Sequence, residues 1–263
     1  MGMIALTPFD LFLGASLIIA LALLSWREQL GLTRSILIAA LRTTLQLLLI
    51  GWLLKLLFQQ LNPIWIGVMA TVMVLVAGYE IQQRQKHRFK GYWGYGLGLF
   101  SVFISSVTLA LFSLTVIIQA DPWYQPQYAI PLLGMLLGNT MNGIALGIDQ
   151  LNSHAMQQRK VIEARLILGH SAESAIRQIR REAIRVAMIP TINGMAAAGI
   201  VSLPGMMTGQ ILAGAAPVEA VKYQILVMFM IATATGFGTM AAVSMAARRL
   251  FDQRERLRLE RLK

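Results

Sequence analysis

The chain contains no cysteine and few charged residues, and both shortages exclude classes of protein. Without cysteine there can be no disulfide and no thiolate metal site. Charged residues make up 13% of the 263 residues, against about 25% in soluble domains. No phosphate-binding loop of the form G-x-x-x-x-G-K-[ST] occurs, so the chain is not an ATPase. No hydrolytic set of residues is present, and the histidines lie in loops without ligand spacing, so we expect neither an enzyme nor a bound cofactor: His87, His154 and His170.

Apolar residues are abundant and occur in long blocks, which is typical of a membrane protein. They make up 56% of the chain, and a helix needs about 20 of them in a row to span a bilayer. Seven blocks approach this length: 8–25, 36–58, 63–79, 95–118, 128–148, 183 to about 203, and 223–247. The sequence therefore predicts one all-α transmembrane domain over residues 1–263, with seven transmembrane helices.

Basic residues are distributed unequally between alternate loops, and this predicts the orientation. The loops after the first, third and fifth spans, together with the C-terminal tail, hold 20 of the 23 Lys and Arg residues. Basic loops remain in the cytoplasm. We therefore expect the N-terminus outside and the C-terminus inside the cell inner (plasma) membrane. The net charge of +11 is explained by this topology, so no nucleic-acid partner is expected.

The basic tail, about residues 248–263, has two interpretations. It alternates Arg and Glu with Leu257, Leu259 and Leu262. This pattern fits a helix lying on the anionic inner leaflet, and it equally fits a solvated anchor that fixes the topology.

Charged residues inside spans need partners, because unpaired polar groups in a bilayer are costly. Arg42 lies in the second span, and Glu80 lies at the end of the third at a similar depth from the cytoplasmic side. We predict that these two residues form a structural ion pair.

Asparagine and glycine distinguish the fifth and sixth spans. Asn139 and Asn142 lie three residues apart in the fifth, and Asn193 follows Pro190 in the sixth. These amides could bond between helices or line a polar pathway. The fifth span also has two small-xxx-small pairs that would let another helix approach closely: Gly134 with Gly138, and Gly143 with Gly147.

Proline and glycine interrupt the chain between the sixth and seventh spans. The segment 203–217 contains Pro204, Gly205 and Pro217, and irregular backbone at membrane depth survives only against protein or water. We therefore predict a bent or re-entrant segment near the outer side. It holds Met206 and Met207, for which packing is favoured over metal ligation.

The cytoplasmic loop, about residues 151–182, carries a helix–glycine–helix pattern. Glu163-Ala164 is followed by Gly169 six residues after the glutamate, and a second helical pattern continues from there. The predicted knob resembles the coupling loop of ABC-transporter permeases, whose pattern is Glu-Ala-Ala, three residues, then Gly. Here Arg165 replaces the second Ala. The resemblance implies that the knob docks on an ATPase through Glu163, Ala164, Gly169, His170, Glu173 and Arg177.

The wider sequence resembles FetB-type permeases over nearly the whole chain. The likeness is densest in "GMLLGNTMNGIALGID" and around "IVSLPGMM". It implies an iron-exporting ABC transporter in which a homodimer of the permease works with two copies of an ATP-binding subunit that binds ATP and Mg. The substrate identity and direction rest on this resemblance alone. On this reading, the residues that line the path and its outer gate are Asn139, Asn142, Asn193, Met206, Met207 and Gln210.

Two other classes share some of these features. A seven-helix receptor would have the same orientation, but it would not need the knob or the Pro-Gly break. A secondary transporter usually carries an acidic residue near the middle of the bilayer, whereas the acids here lie at span ends: Asp10, Glu80, Asp121 and Asp149.

Overall fold

The computed structural model describes residues 7–59 and 62–263, and these residues form helices and turns without a β-sheet. The ten α-helices of this part of the chain are α1 Pro8–Arg27, α2 Thr33–Gln59, α3 Pro63–Gln83, α4 Trp93–Val102, α5 Thr108–Phe112, α6 Pro126–Gln157, α7 Arg159–Ile167, α8 Ala172–Ala197, α9 Gly205–Leu212 and α10 Pro217–Arg249. The π-helical turns Phe103–Val107 and Ser113–Ile117 join α4 and α5 into one helix that ends at Ile117. The all-α prediction is confirmed.

Within the described part of the chain, six helices are long and apolar enough to cross a membrane. They are α1, α2, α3, the joined α4–α5 helix, α6 and α10, and they coincide with six of the seven predicted spans. With 32 and 33 residues, α6 and α10 are each about 48 Å long. They therefore extend beyond the hydrocarbon core, which is about 30 Å thick.

The sixth predicted span differs most from the structure. Its helix, α8, begins at Ala172 inside the basic loop, continues through Pro190 and ends at Ala197. The predicted end near residue 203 is wrong, because Gly199 takes a φ of +86°, which stops the helix. Helical structure resumes only at the short α9. The predicted bent segment therefore consists of a turn, a two-turn helix and a second turn.

The core lies where α6 packs against α10, α8 and α3. Glycines make this packing close. A Cβ atom on Gly143 would lie 2.5 Å from Cγ2 of Thr235, and one on Gly147 would lie 2.8 Å from Cγ2 of Val243. The second of the two small-xxx-small pairs therefore serves contacts within the chain. A Cβ on Gly138 would meet nothing within 4 Å.

The C-terminal tail does not form an amphipathic helix, because it contains only the short 3-10 turn Leu259–Arg261. It folds back as a clasp, residues 250–263, whose Leu262 pairs with Phe89 of the α3–α4 loop. The Lys90 N–H donates to the Arg261 carbonyl at 2.8 Å, and the Lys263 N–H donates to the Arg88 carbonyl at 2.8 Å. The helix interpretation is therefore wrong, because Leu262 is buried and Leu257 and Leu259 pack against the core, while the role of the tail in fixing the topology stays a prediction.

Asp252 organises the first turn of this clasp. Its carboxylate accepts hydrogen bonds from the backbone N–H groups of Arg256 and Arg254, both at 2.9 Å. It also forms salt bridges with Arg256 and Arg258, at 2.9 and 3.1 Å. The backbone hydrogen bond from Arg256 is the main cause that lowers the pKa of Asp252 to about 2.

Candidate functional site

A network of charged and polar side chains connects α2, α3 and α6. Arg42 forms a salt bridge with Glu80, as the sequence predicts. The other carboxylate oxygen of Glu80 lies 3.7 Å from Nε of Arg84. Arg84 in turn donates a hydrogen bond to Oδ1 of Asn142. One carboxylate thus connects two arginines, and the second arginine reaches α6.

Asn142 therefore has a partner within the chain. From the sequence, Asn142 is predicted to line the pathway and Arg84 to be only a loop charge. One signal could have revealed the contact: Arg84 follows Glu80 by four residues, so both lie on the same face of α3. Two more hydrogen bonds connect the same edge of α6 to the α3–α4 loop. The Lys86 N–H donates to the Asp149 carboxylate at 2.6 Å, and the Asn152 side chain donates to the His87 carbonyl at 2.7 Å.

Asn139 and Asn193 have side chains on the exposed surface of the chain. Asn139 donates only to the Met135 carbonyl of its own helix, at 2.8 Å. Ala187 of α8 lies against Gly143 and Gly147 of α6. Measured along the helix axes from this contact, Asn193 of α8 is about 9 Å away. Asn139 of α6 is about the same distance away in the same direction. The two amides are therefore at similar depth.

The break between α8 and α9 lies well short of the end of α10 along the helix axes, although most of its residues are exposed on the surface of the chain. Residues near the start of α8 lie beside the end of α10, and Met188 contacts Gly236, so the two helices are antiparallel. From this contact α8 extends only about 14 Å to Ala197, whereas α10 extends about 28 Å to Pro217. The break therefore begins about 14 Å short of the end of α10, level with the apolar part of that helix.

Beyond the break, α9 packs against α10. Met207 is buried, while Met206 and Gln210 are half-buried. Oε1 of Gln210 and Oε1 of Gln224 on α10 are both buried, and neither has a hydrogen-bond partner among the described residues. Buried amide oxygens without partners are unfavourable, so each of these two would be stabilised by a water molecule or a ligand. The sequence analysis missed Gln224, which it had included in an apolar span.

The helix–glycine–helix knob is present at the predicted place. The helix α7 ends at Ile167, Gly169 turns the chain with a φ of +86°, and α8 begins at Ala172. The Oγ of Ser171 accepts from the Ser174 N–H at 3.3 Å and caps α8. Arg165 donates to the Ala175 carbonyl at 3.2 Å and ties the two helices together.

The tip of the knob exposes apolar side chains. Ile167 and Leu168 are 86% and 79% exposed. Among the predicted docking residues, Glu163 pairs with Arg159 at 2.8 Å and Glu173 with Arg180 at 3.4 Å, while Arg177 is exposed. Ala164, Gly169 and His170 are also exposed and surround the tip. Two adjacent large apolar residues on a polar turn are typical of an interaction site.

No group of three or more His, Asp or Glu residues that could hold a metal ion occurs within residues 7–59 and 62–263. The asparagine and glutamine side chains described above can contact a passing ion through their amide oxygens.

Comparison with known proteins identifies relatives over almost the whole chain. A family model described as "Uncharacterised protein family (UPF0014)" matches residues 8–251. The chain is 42% identical over 244 residues to UPF0014 membrane protein slr1647 of Synechocystis, covering 90% of this chain and 91% of the relative. It is 32% identical over 259 residues to "Probable iron export permease protein FetB" of Escherichia coli, covering 98% and 97%. It is 33% identical over 232 residues to Protein ALUMINUM SENSITIVE 3 of Arabidopsis thaliana, covering 88% and 82%. No solved structure matches the chain.

Proposed function

The chain belongs to the UPF0014 family of multi-pass membrane proteins, and from this premise we propose that it is the permease subunit of an ABC transporter that exports a metal ion. The relative in Escherichia coli is named as a probable iron export permease, so iron is the proposed substrate. Two copies of this chain would form the pathway. A separate ATP-binding subunit, also in two copies, would supply the energy.

The observation that carries this proposal is the exposed tip of the knob. Ile167 and Leu168 project from a turn between two helices on the basic side of the protein. The knob is also held firmly to the membrane part, because Ile162 of α7 and Ile176 of α8 are buried in the core. A rigid connection is what coupling requires, since movement of an ATPase beneath the tip must be transmitted to α8.

The proposed topology has seven spans with the N-terminus outside and the C-terminus inside. The six long apolar helices supply six crossings. The seventh crossing would be the discontinuous pair α8 and α9, interrupted within the membrane. Such interrupted helices form ion-binding sites in transporters, because helix ends expose polar backbone groups.

The proposed pathway lies on the exposed face of α6 and α8. Asn139 and Asn193 are exposed at similar depth, and an amide in contact with lipid tails is costly. Around Asn193 the surface is apolar, with Ile189, Ile192 and Ile200 exposed. A second copy packed on this face would cover the apolar residues and enclose the asparagines. Met206, Met207 and Gln210 would lie toward the outer gate.

A secondary transporter is the second candidate, because discontinuous helices also occur in that class. The two candidates differ in their energy source. Transport that requires an ATP-binding subunit would support the first, and transport driven by an ion gradient alone would support the second.

The test of the coupling role uses Gly169→Val. Valine at a φ of +86° is strained by at least about 1–2 kcal/mol. The turn should therefore change conformation, and its tip should no longer bind the ATP-binding subunit. In the reconstituted complex we expect at least a tenfold loss of metal-stimulated ATP hydrolysis, with normal insertion into the membrane.

The matched control is Gly31→Val. Gly31 has a φ of +70° in the α1–α2 turn, and a Cβ there would meet nothing within 4 Å, so the strain is similar but the knob is untouched. Equal activity in the two variants would contradict the coupling role.

A further inference from the structure

A basic cleft of about 800 Å³ lies between the start of α4, the end of α10 and the clasp. Trp93 and Met245 form its apolar wall. Its charged lining consists of one acid, Asp252, and five arginines: Arg248, Arg249, Arg254, Arg256 and Arg261.

Only part of this positive charge is neutralised inside the protein. Asp252 is already paired with Arg256 and Arg258. Arg261 donates to the carbonyls of Arg249 and Phe251, at 2.7 and 3.0 Å. Among the described residues, only Arg256 of the five lining arginines forms a salt bridge, and three lining guanidinium groups form neither a salt bridge nor a hydrogen bond: those of Arg248, Arg249 and Arg254. The cleft is therefore built to attract an anion.

The aromatic wall gives this site a fixed geometry. The guanidinium of Arg249 lies 5.0 Å from the ring centroid of Trp93, a cation–π contact that holds the arginine in the cleft. Trp93 is also the first residue of α4, whose start has no side-chain cap and no acidic residue in its first turn. The positive end of the helix dipole therefore adds to the arginine charge.

The position of the cleft indicates where the anion comes from. Arg248 and Arg249 form the last turn of α10, directly after its apolar stretch. Tyr92 is 93% exposed beside Trp93, as is common for aromatic residues at a membrane surface. In the proposed orientation the cleft thus faces the headgroups of the inner leaflet, which is rich in anionic lipids.

We propose that this cleft binds the phosphate of an anionic phospholipid headgroup. Arg249 and Arg254 contact the phosphate oxygens, for which the planar guanidinium is well suited. The acyl chains extend along the apolar surfaces of α4 and α10. The clasp, by closing one wall of the cleft, makes the site dependent on the folded C-terminus.

The test is native mass spectrometry of the full chain in detergent, titrated with phosphatidylglycerol or phosphatidylcholine. The wild type should retain phosphatidylglycerol in preference to phosphatidylcholine. Near an anionic surface each arginine contributes about 1 kcal/mol, so Arg249→Gln with Arg254→Gln should weaken phosphatidylglycerol binding by about thirtyfold. Arg254→Gln alone changes an exposed side chain and should give about fivefold.

Lys160→Gln with Arg181→Gln is the matched control, because it removes the same charge from exposed positions outside the cleft. It should leave binding within about twofold. Equal loss in both double variants, or no loss in the cleft variants, would overturn the proposal. Displacement of the lipid by inorganic phosphate at millimolar concentration would identify a soluble phosphate as the ligand and would also overturn it. None of these measurements needs a metal or an ATPase, so their outcome is independent of the transport function.

Discussion

At the scale of single residues, polar groups in the membrane part are of two kinds. Some pair with side chains of other helices, and others remain available for the proposed pathway. Glu80 joins Arg42 and Arg84, and Arg84 satisfies Asn142. Asn139 has only a carbonyl of its own helix as a partner. The two asparagines of α6 lie only three residues apart, yet the structure gives them different surroundings. We therefore assign the proposed pathway to Asn139 and Asn193 rather than to Asn142.

Glycine at the α6–α10 contact gives the sharpest prediction at this scale. In Gly143→Ala the new methyl would lie 2.5 Å from Thr235 and 2.9 Å from Oγ1 of Thr239. Overpacking of this kind costs about 1–3 kcal/mol, so the melting temperature in detergent should fall by roughly 5 °C. Gly138→Ala is the control on the same helix, and it should melt at the wild-type temperature or above. Equal melting of the two variants would contradict the close packing.

Sequence reasoning reached some of these residues and missed others for a physical reason. It paired Arg42 with Glu80 because two opposite charges at one depth in a bilayer have few other partners. It missed the contact of Arg84 because composition does not show whether a charged residue after a span stays in the loop or turns back toward another helix. It missed Gln224 because composition does not distinguish a buried amide from the apolar residues around it. Which helix faces which depends on packing that a single sequence does not contain.

At the scale of elements, the sequence predicts six long helices well and the seventh poorly. A long apolar run has one favourable structure in a bilayer, because a helix satisfies every backbone group. The segment after Ala183 has no such run, since basic residues precede it and Gly199 and Pro204 interrupt it. The knob was predictable because the positive φ of Gly169 is a local property of glycine. The clasp was not, because its contacts to the α3–α4 loop are distant in sequence.

The clasp should be sensitive to acid through Asp252. Because its pKa is lowered in the folded state to about 2, ionised Asp252 stabilises the clasp fully above its ordinary pKa of about 3.9. This contribution is lost as pH falls toward 2. Pepsin, normalised against a free peptide, should therefore cleave the wild-type tail near Phe251 and Leu257 much faster at pH 2 than at pH 4.

Asp252→Asn removes the titrating group and serves as the control. Its tail should be cleaved quickly at both pH values, with no change between them beyond that of the free peptide. A wild-type tail that is cleaved equally at pH 2 and pH 4 would show that Asp252 does not hold the clasp.

At the scale of the whole molecule, the orientation can be tested directly, since the chain has no native cysteine. A single cysteine placed at Gln125, just before α6, should react with an impermeant maleimide added from outside. A cysteine at Lys86, in the α3–α4 loop, should react only after the membrane is permeabilised. Labelling of the Lys86 position in intact cells would contradict the proposed topology.

The whole assembly is proposed to move a metal ion outward at the expense of ATP, and transport into inside-out vesicles measures this most directly. Proteoliposomes containing the chain and its ATP-binding subunit should accumulate Fe(II) only when ATP is supplied. Accumulation should fall at least tenfold in Asn139→Ala with Asn193→Ala, while the complex remains assembled. Fe(II) accumulation that is independent of ATP, or absent while ATP is hydrolysed normally, would contradict the account.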